Sequence, residues 1–463
     1  MKYDIIVIGS GPGGYVAAIK AAQMGKKTAV VERENLGGIC LNWGCIPTKA
    51  LLKSAQVYNY INHSAAYGVE ASGATANLEA MVERSRGVAQ TMSKGVQFLL
   101  KKNNVDVLMG TGRVMTDHRV AVTSPEGEVV EYQADHIIIA TGARSRSLPN
   151  LPQDGVHVIG YRQAMTLRNK PTSMVVVGSG AIGSEFAFFY QSIGVQVTLV
   201  EFMPTILPNE DEDTSSTVAR SFKKMGMKVM TSASVQKVEV EGDVCHVTIK
   251  DKKEAEIQVD CDVVLSAVGV ITNLEDLGLE EVGITVERNK IIVDDYYRTN
   301  IPGYYAIGDV VHGPALAHVA SAEAICCVEK ICGGDPTPIN YANIPGCTYT
   351  TPEVASVGLT EKKAIEAGHE VRIGKFFFKA SGKATAAGNT DGIVKMVIDK
   401  NTDAILGAHL CGDNVTEMIA GLVAARQNGL TAKQVASSIH PHPTMSEAIM
   451  EAIEAAYGCA IHG

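Results

Sequence analysis

A chain of 463 residues, 46% of them hydrophobic, has the length for about three domains with cores to match. Its 41 basic and 50 acidic residues leave a net charge of −9 with no long block of either sign, which argues against nucleic acid as a partner. Ten cysteines are too sparse for a disulfide scaffold, and no apolar run reaches the roughly 18 residues that cross a bilayer, so no membrane partner is expected.

The first strand-like segment begins at Tyr3, which leaves no room for a signal or transit peptide and makes the cytoplasm the expected compartment. It continues through 4-DIIVIGSGPGG-14 into Gly9, Gly11 and Gly14, and the pattern YVAAIKAAQMG that follows is helical. A second strand, 28-TAVVE-32, ends on Glu32. Each part has a task in holding a dinucleotide. The glycines permit a tight turn, close approach of a pyrophosphate and close helix packing; the helix N-terminus attracts the phosphates; the carboxylate binds a ribose diol. A lone GxGxxG is weak evidence, but here strand, turn, helix, second strand and acid arrive in order.

Next comes 37-GGICLNWGCIPTK-49, with Cys40 and Cys45 either side of Trp43, the only tryptophan. Pro47 is tolerated in a first helical turn, so a helix is expected to start at or just after Cys45, where a thiolate is stabilised. Zinc is the competing reading of C-x4-C, but it needs two further ligands, and the nearest histidine, His63, has no obvious mate. A redox pair accounts better for two thiols beside a dinucleotide loop, although spacing alone establishes no sulfur–sulfur bond. The remaining cysteines, such as Cys326 and Cys327, lie in apolar surroundings and read as small core residues.

The dinucleotide unit then recurs. In 174-MVVVGSGAIGSEFAFFYQSIGVQVTLVE-201, Gly178, Gly180 and Gly183 precede a helix, and Glu201 ends the next strand. The acid follows the first glycine by the same interval in both copies, from 9 to 32 and from 178 to 201. Glu201 favours NAD, because a carboxylate bonds the ribose diol and repels the 2′-phosphate of NADP; Phe202, Met203 and Pro204 bring no arginine to offset it. Two such sites suggest one bound flavin dinucleotide and one diffusing nicotinamide dinucleotide.

With IIIATGA at 137–143, YYAIGD at 304–309, YTTPEVASVGLTE at 349–361 and HPHPTMSE at 440–447, the chain resembles the class I pyridine nucleotide–disulfide oxidoreductase family over essentially its whole length. The resemblance implies an α/β fold with two Rossmann-like domains, for FAD and NAD, plus a C-terminal α+β dimerisation domain. The implied boundaries are 1–145 for the FAD domain, 146–272 for the NAD domain, 273–343 completing the FAD domain, and 344–463 for the interface. The implied activity is oxidation of a protein-bound dihydrolipoyl dithiol with reduction of NAD. A homodimer serving lipoyl-bearing carrier domains of 2-oxo acid dehydrogenase or glycine-cleavage complexes goes with it.

Residue by residue, the resemblance makes Cys40 the interchange thiol and Cys45 its disulfide partner beside the flavin. Lys49 matches a lysine at the flavin edge that pairs with the counterpart of Glu185. Asp309 matches an aspartate on the ribityl chain, and Ala315, Leu316, Ala317 and His318 a helix start facing the flavin. Gly112, Thr141 and Gly142 match further flavin-side backbone, and Ile182 and Gly269 line the nicotinamide site. His442 would be the base for a thiol that is mostly protonated near neutrality, oriented by Glu447, with His440 the alternative. It would reach the cysteines of the other subunit. No metal site is expected, because His440 and His442 lack ligand spacing.

One departure stands out: Val270-Ile271-Thr272-Asn273 follows Gly269 where the family commonly has an arginine, then proline and asparagine. That puts a surface or phosphate-side contact in question. Another NAD(P)H-dependent disulfide reductase, or a flavoprotein redox sensor or scaffold, is the alternative reading. Glu201 disfavours a glutathione reductase, the single tail cysteine Cys459 disfavours a mercuric reductase, and thiols, base and carboxylate kept in register disfavour a scaffold.

Overall fold

The run Ile5 to Ile8 is apolar at every position, as a strand covered on both faces must be. In the computed structural model, which describes residues 1–462, the strand Lys2–Ile8 divides its side chains between two cores. Ile5 and Val7 pack with Ala17, Ala18 and Ala21 of the helix Pro12–Gln23, whereas Ile6 and Ile8 pack with Val114, Val122 and Ile137. This strand belongs to the first of two compact units, formed by 1–51, 80–146 and 270–339. Its parallel strands run in the order Asp106–Met109, Thr28–Glu32, Lys2–Ile8, Val129–Ile139, Tyr304–Ala306. The early half of Val129–Ile139 also pairs antiparallel with Arg119–Thr123, which pairs with Thr111–Met115.

The second unit is formed by 52–79, 147–269 and 340–463. It repeats the plan of the first: Lys228–Met230, Gln196–Val200, Ser173–Val177, Val263–Ser266 and Val158–Ile159 form a parallel sheet in that order. A three-stranded antiparallel sheet, Ser234–Glu241, Val244–Lys250 and Glu256–Cys261, adjoins the same core through Val235, Val247 and Ile249. The C-terminal part is an antiparallel sheet ordered Gly346–Thr348, Glu353–Gly358, Ile405–Gly412, Ile393–Asp399, Val371–Phe377. The helices Val415–Gln427 and Glu447–Ala456 bury Ile419, Leu422, Ile449 and Ile453 in its core. Gly374 sets the position of the second helix, since a Cβ there would overlap the Ala452 carbonyl.

Every residue of Ile393–Asp399 is buried, including a lysine. Lys395 Nζ is met by Asp211 Oδ1 at 2.8 Å, Asp213 Oδ2 at 2.6 Å and Glu361 Oε2 at 2.7 Å. The pattern of parallel βαβ units followed by an antiparallel sheet with helices is the α/β plus α+β architecture. Among the described residues no helix is long and apolar enough to cross a membrane.

Candidate functional site

The two glycine loops are conformational copies. Gly9 and Gly178 have φ of +99° and +94°, and Gly11 and Gly180 both cap their helices at φ −61°, ψ −178°. A Cβ on Gly9 or Gly178 would strike the carbonyl of Ala140 or Ala267, and one on Gly14 or Gly183 the carbonyl of Gly9 or Gly178. Packing therefore explains four of the six glycines. Gly11 and Gly180 differ, because a Cβ there would meet nothing within 4 Å. No part of the fold requires a bare backbone at those two points, whereas a pyrophosphate approaching the helix N-terminus does. That open cradle fits a dinucleotide in each unit.

The acids are held alike as well. Glu32 Oε2 accepts from Ser10 N at 3.0 Å and Ser10 Oγ at 2.6 Å, and its Oε1 accepts from Glu34 N at 2.8 Å. Glu201 accepts from Ser179 N at 2.8 Å, Ser179 Oγ at 2.7 Å and Met203 N at 2.8 Å. An ionised carboxylate has about four lone-pair directions, so these donors aim it while leaving a place for a ribose hydroxyl. Ser10 and Ser179 escaped sequence reasoning, since a serine between two glycines reads as a turn residue. Glu32 ends its strand, while Glu201 lies one position past Gln196–Val200. Ile182 is an exposed residue in the first turn of Ala181–Ser192, and Gly269, at φ +105°, follows Val263–Ser266.

Ser10 also joins the first loop to the thiols. Gly37 N donates to Ser10 O at 3.0 Å, and a Cβ on Gly38 would press on the Gly11 Cα. Cys40 lies in the short helix Gly38–Asn42, and Cys45 opens the helix Cys45–Asn62. The Cys45 thiol and its backbone N–H both lie close enough to Cys40 to act on its sulfur. Contact with the Cys45 thiol, followed by burial, pushes the Cys40 thiol far above its ordinary range, although the charge of Lys49 pulls the other way. The sulfurs thus meet at the start of a helix, next to the first dinucleotide loop.

Other residues expected at the flavin lie in the first unit. Asp309 sits in the turn Gly308–Val310 after Tyr304–Ala306; burial raises its carboxyl against the opposing charge of Lys290, whose Nζ donates to the Asp309 carbonyl. Ala315 precedes Leu316, the cap of the helix Ala317–Ile331, with His318 in its first turn. Thr141 Oγ1 donates to Asn273 O at 2.7 Å, and Asn273 N to Gly142 O at 2.9 Å. Gly112 packs against Ile8, which by itself accounts for the missing side chain. At the departure after Gly269, Val270–Thr272 pairs with Ala143–Ser145, and Arg144 bonds Asn273 Oδ1 at 2.9 Å and both oxygens of Glu275. The Arg144 hydrogen bonds hold the Glu275 carboxyl down at about 2. Nothing in the local sequence marks Arg144 and Glu275 as partners.

In the second unit, His442 Nδ1 lies 2.9 Å from Glu447 Oε1, and Thr444 N donates to Glu447 Oε2 at 2.8 Å. Desolvation alone would raise the Glu447 carboxyl, yet the Thr444 N–H and the His442 imidazole outweigh it and hold it below the ordinary range. A carboxylate on Nδ1 selects the tautomer whose Nε2 accepts a proton, and the His442 side chain is 78% exposed. His440 Nδ1 is engaged with the Ser438 carbonyl at 2.9 Å instead. Glu185, buried in Ala181–Ser192, accepts from Tyr349 N at 3.0 Å. Among the described residues no group of three or more His, Cys, Asp or Glu side chains could hold a metal ion.

Known proteins resemble this chain over nearly its whole length. Residues 3–324 match the pyridine nucleotide-disulphide oxidoreductase family, and residues 344–453 the dimerisation domain of the same name. The chain is 48% identical to a dihydrolipoyl dehydrogenase of Rhizobium etli, over 99% of this chain and 98% of that one. It is 47% identical to a dihydrolipoyl dehydrogenase of Zymomonas mobilis, over 99% of both. Among solved structures it is similar to LpdA from Mycobacterium tuberculosis, with a TM-score of 0.90 and 28% identity over 97% of this chain and 99% of that one.

Proposed function

The chain belongs to the pyridine nucleotide-disulphide oxidoreductase family, and we propose that within it the protein oxidises dihydrolipoamide carried on a lipoyl domain, with Cys40, Cys45, His442 and Glu447 as its catalytic residues. It is a dihydrolipoyl dehydrogenase, an oxidoreductase that uses FAD and NAD. The observation that carries the residue assignment is the meeting of two thiols at a helix start packed on the first glycine loop.

FAD would be held in the first unit by Gly9, Gly11, Gly14 and Glu32, with Asp309 and the helix start at Ala317 toward its reactive end. NAD would be held in the second by Gly178, Gly180, Gly183 and Glu201. Bound FAD supplies the electron relay from the cysteine pair to NAD. The chain's own residues prepare that relay. His442 Nε2 takes the proton of a substrate thiol while Glu447 keeps Nδ1 protonated and supports the imidazolium. The substrate thiolate attacks Cys40 of the oxidised pair, and Cys45 departs as thiolate. The second substrate thiol then displaces Cys40, closing the lipoyl disulfide and leaving two reduced cysteines. Lys49 supplies positive charge beside the thiolates. The protein works as a homodimer in the cytoplasm, through its dimerisation domain, and serves a 2-oxo acid dehydrogenase or glycine-cleavage carrier.

The test is NAD-linked oxidation of dihydrolipoamide by the purified flavin-loaded protein, with NADP alongside. Rapid NADH formation with little NADPH supports donor, acceptor and the role of Glu201 together. A flavin-loaded dimer without activity would move the substrate to another disulfide.

A further inference from the structure

Three consecutive residues of the 25-residue helix Leu78–Lys102 reach the redox segment, and none takes part in the reaction described above. Ser85 is fully buried and donates from Oγ to Pro47 O at 2.9 Å. Successive helical residues diverge by about 100°, so its neighbours need long side chains to reach back to the same surface. Arg84 Nη1 does so to Ala50 O at 2.7 Å, and Arg86 Nη1 to Asn42 O at 2.5 Å. Arg86 makes a second contact, its guanidinium lying 4.2 Å from the centroid of the Trp43 ring. Trp43 Nε1 in turn donates to Glu34 Oε1 at 2.8 Å. Asn42 and Trp43 both lie between Cys40 and Cys45, so Arg86 grips the linker between the sulfurs, whereas Arg84 grips the helix beyond them.

We propose that Arg86 is a positioning residue for the Cys40–Cys45 couple, holding Asn42 and Trp43 so that the two sulfurs stay at closing distance. The inference rests on reading those cysteines as the exchanging pair. Once oxidised, the couple is restrained by its own bond. The dithiol has no such bond, so release of the clamp would free the linker mainly in the reduced form. The reduced form gains conformational freedom, and the couple becomes easier to reduce. Arginine suits the place, because its planar fork serves a carbonyl and an indole face at once, which a lysine ammonium cannot.

The experiment equilibrates wild-type holoenzyme and the variants Arg86→Ala, Arg86→Lys and Arg84→Ala with mixtures of reduced and oxidised dithiothreitol. Two electrons and two protons pass from the reagent, which closes to its cyclic disulfide, to the Cys40–Cys45 bond, which opens to two thiols. An alkylating quench and peptide mass measurement then count the thiols, so the readout does not depend on turnover. Arg86→Ala is expected to shift the equilibrium about tenfold toward dithiol, equivalent to about 30 mV for a two-electron couple. Arg86→Lys should shift it less and in the same direction, and Arg84→Ala should leave it unchanged. An Arg86→Ala couple that matches wild type overturns the proposal, as does an Arg84→Ala couple that shifts just as far. Should Arg86→Ala fail to fold, Arg86→Lys decides: a shift toward dithiol sustains the proposal and none overturns it. A wild-type pair that never exchanges with dithiothreitol overturns the premise instead, which separates the two failures.

Discussion

At the scale of single residues, two glycines of one loop predict opposite failures. Gly14→Ala drives a Cβ into the Gly9 carbonyl, so the strand–helix contact must open. Gly11→Ala meets only open space in the protein. Gly14→Ala should therefore lower thermal stability even without cofactor. Gly11→Ala should fold normally and lose FAD, seen as flavin released on gel filtration. Glu201 predicts cofactor choice: Glu201→Ala removes the proposed diol acceptor together with the charge that would face a 2′-phosphate. The ratio of kcat/KM for NAD over NADP should fall by at least about tenfold, at the scale of one charge-assisted hydrogen bond. His442→Gln keeps a polar side chain beside Glu447 but accepts no proton. Its kcat with dihydrolipoamide should fall by about 10² to 10⁴, and near-normal turnover would sink the assigned base.

At the scale of elements, the order of motifs was legible because each rests on local backbone demands. Strand, glycine turn, helix and acid occur in register twice, and Glu32 and Glu201 are held by the same pattern of donors. What local pattern does not encode is how one element is attached to the next. Ser10 bridges the first glycine loop, Glu32 and Gly37, and thereby ties the redox helix to the dinucleotide loop. Ser10→Ala removes both side-chain links while keeping the backbone. It should lower FAD affinity several-fold and leave the NAD site untouched, which parallel titrations of FAD and NADH binding would show. The helix Glu447–Ala456 is a further case: the motif around His442 was readable, but its placement depends on Gly374 in a strand far earlier in the chain.

At the scale of the whole molecule, Lys395 gathers Asp211, Asp213 and Glu361 and so fastens the nucleotide part of the second unit to its C-terminal sheet. Burial opposes ionisation of Lys395, but bonds to the three carboxylates outweigh it and raise its pKa; burial likewise opposes Asp211 and Asp213, whose pKa values are nonetheless lowered by Lys395. Depressed carboxylates contribute stability above their unfolded pKa, near 4, and lose it as pH falls through their lower folded values. A raised lysine contributes below its unfolded pKa and loses its share as pH rises through the folded one. The denaturant midpoint should therefore be flat around neutrality and fall below about pH 4. Lys395→Met leaves the buried Asp211 without its counter-charge, whereas the half-buried Asp213 keeps Lys375, and should cost about 3 to 5 kcal/mol, with a smaller loss in acid, where Asp211 protonates. The sequence by itself determined the two dinucleotide loops, their acids, the cysteine pair and the histidine–glutamate motif. Each is set by what a short backbone stretch must do to admit a ligand or poise a side chain. Only the tertiary structure decided the attachments, such as Ser10 on Gly37, Arg86 on Trp43, Arg144 on Glu275 and Lys395 among its acids. Those partners lie on separate elements, and their pairing follows from how the elements pack, which no local periodicity records.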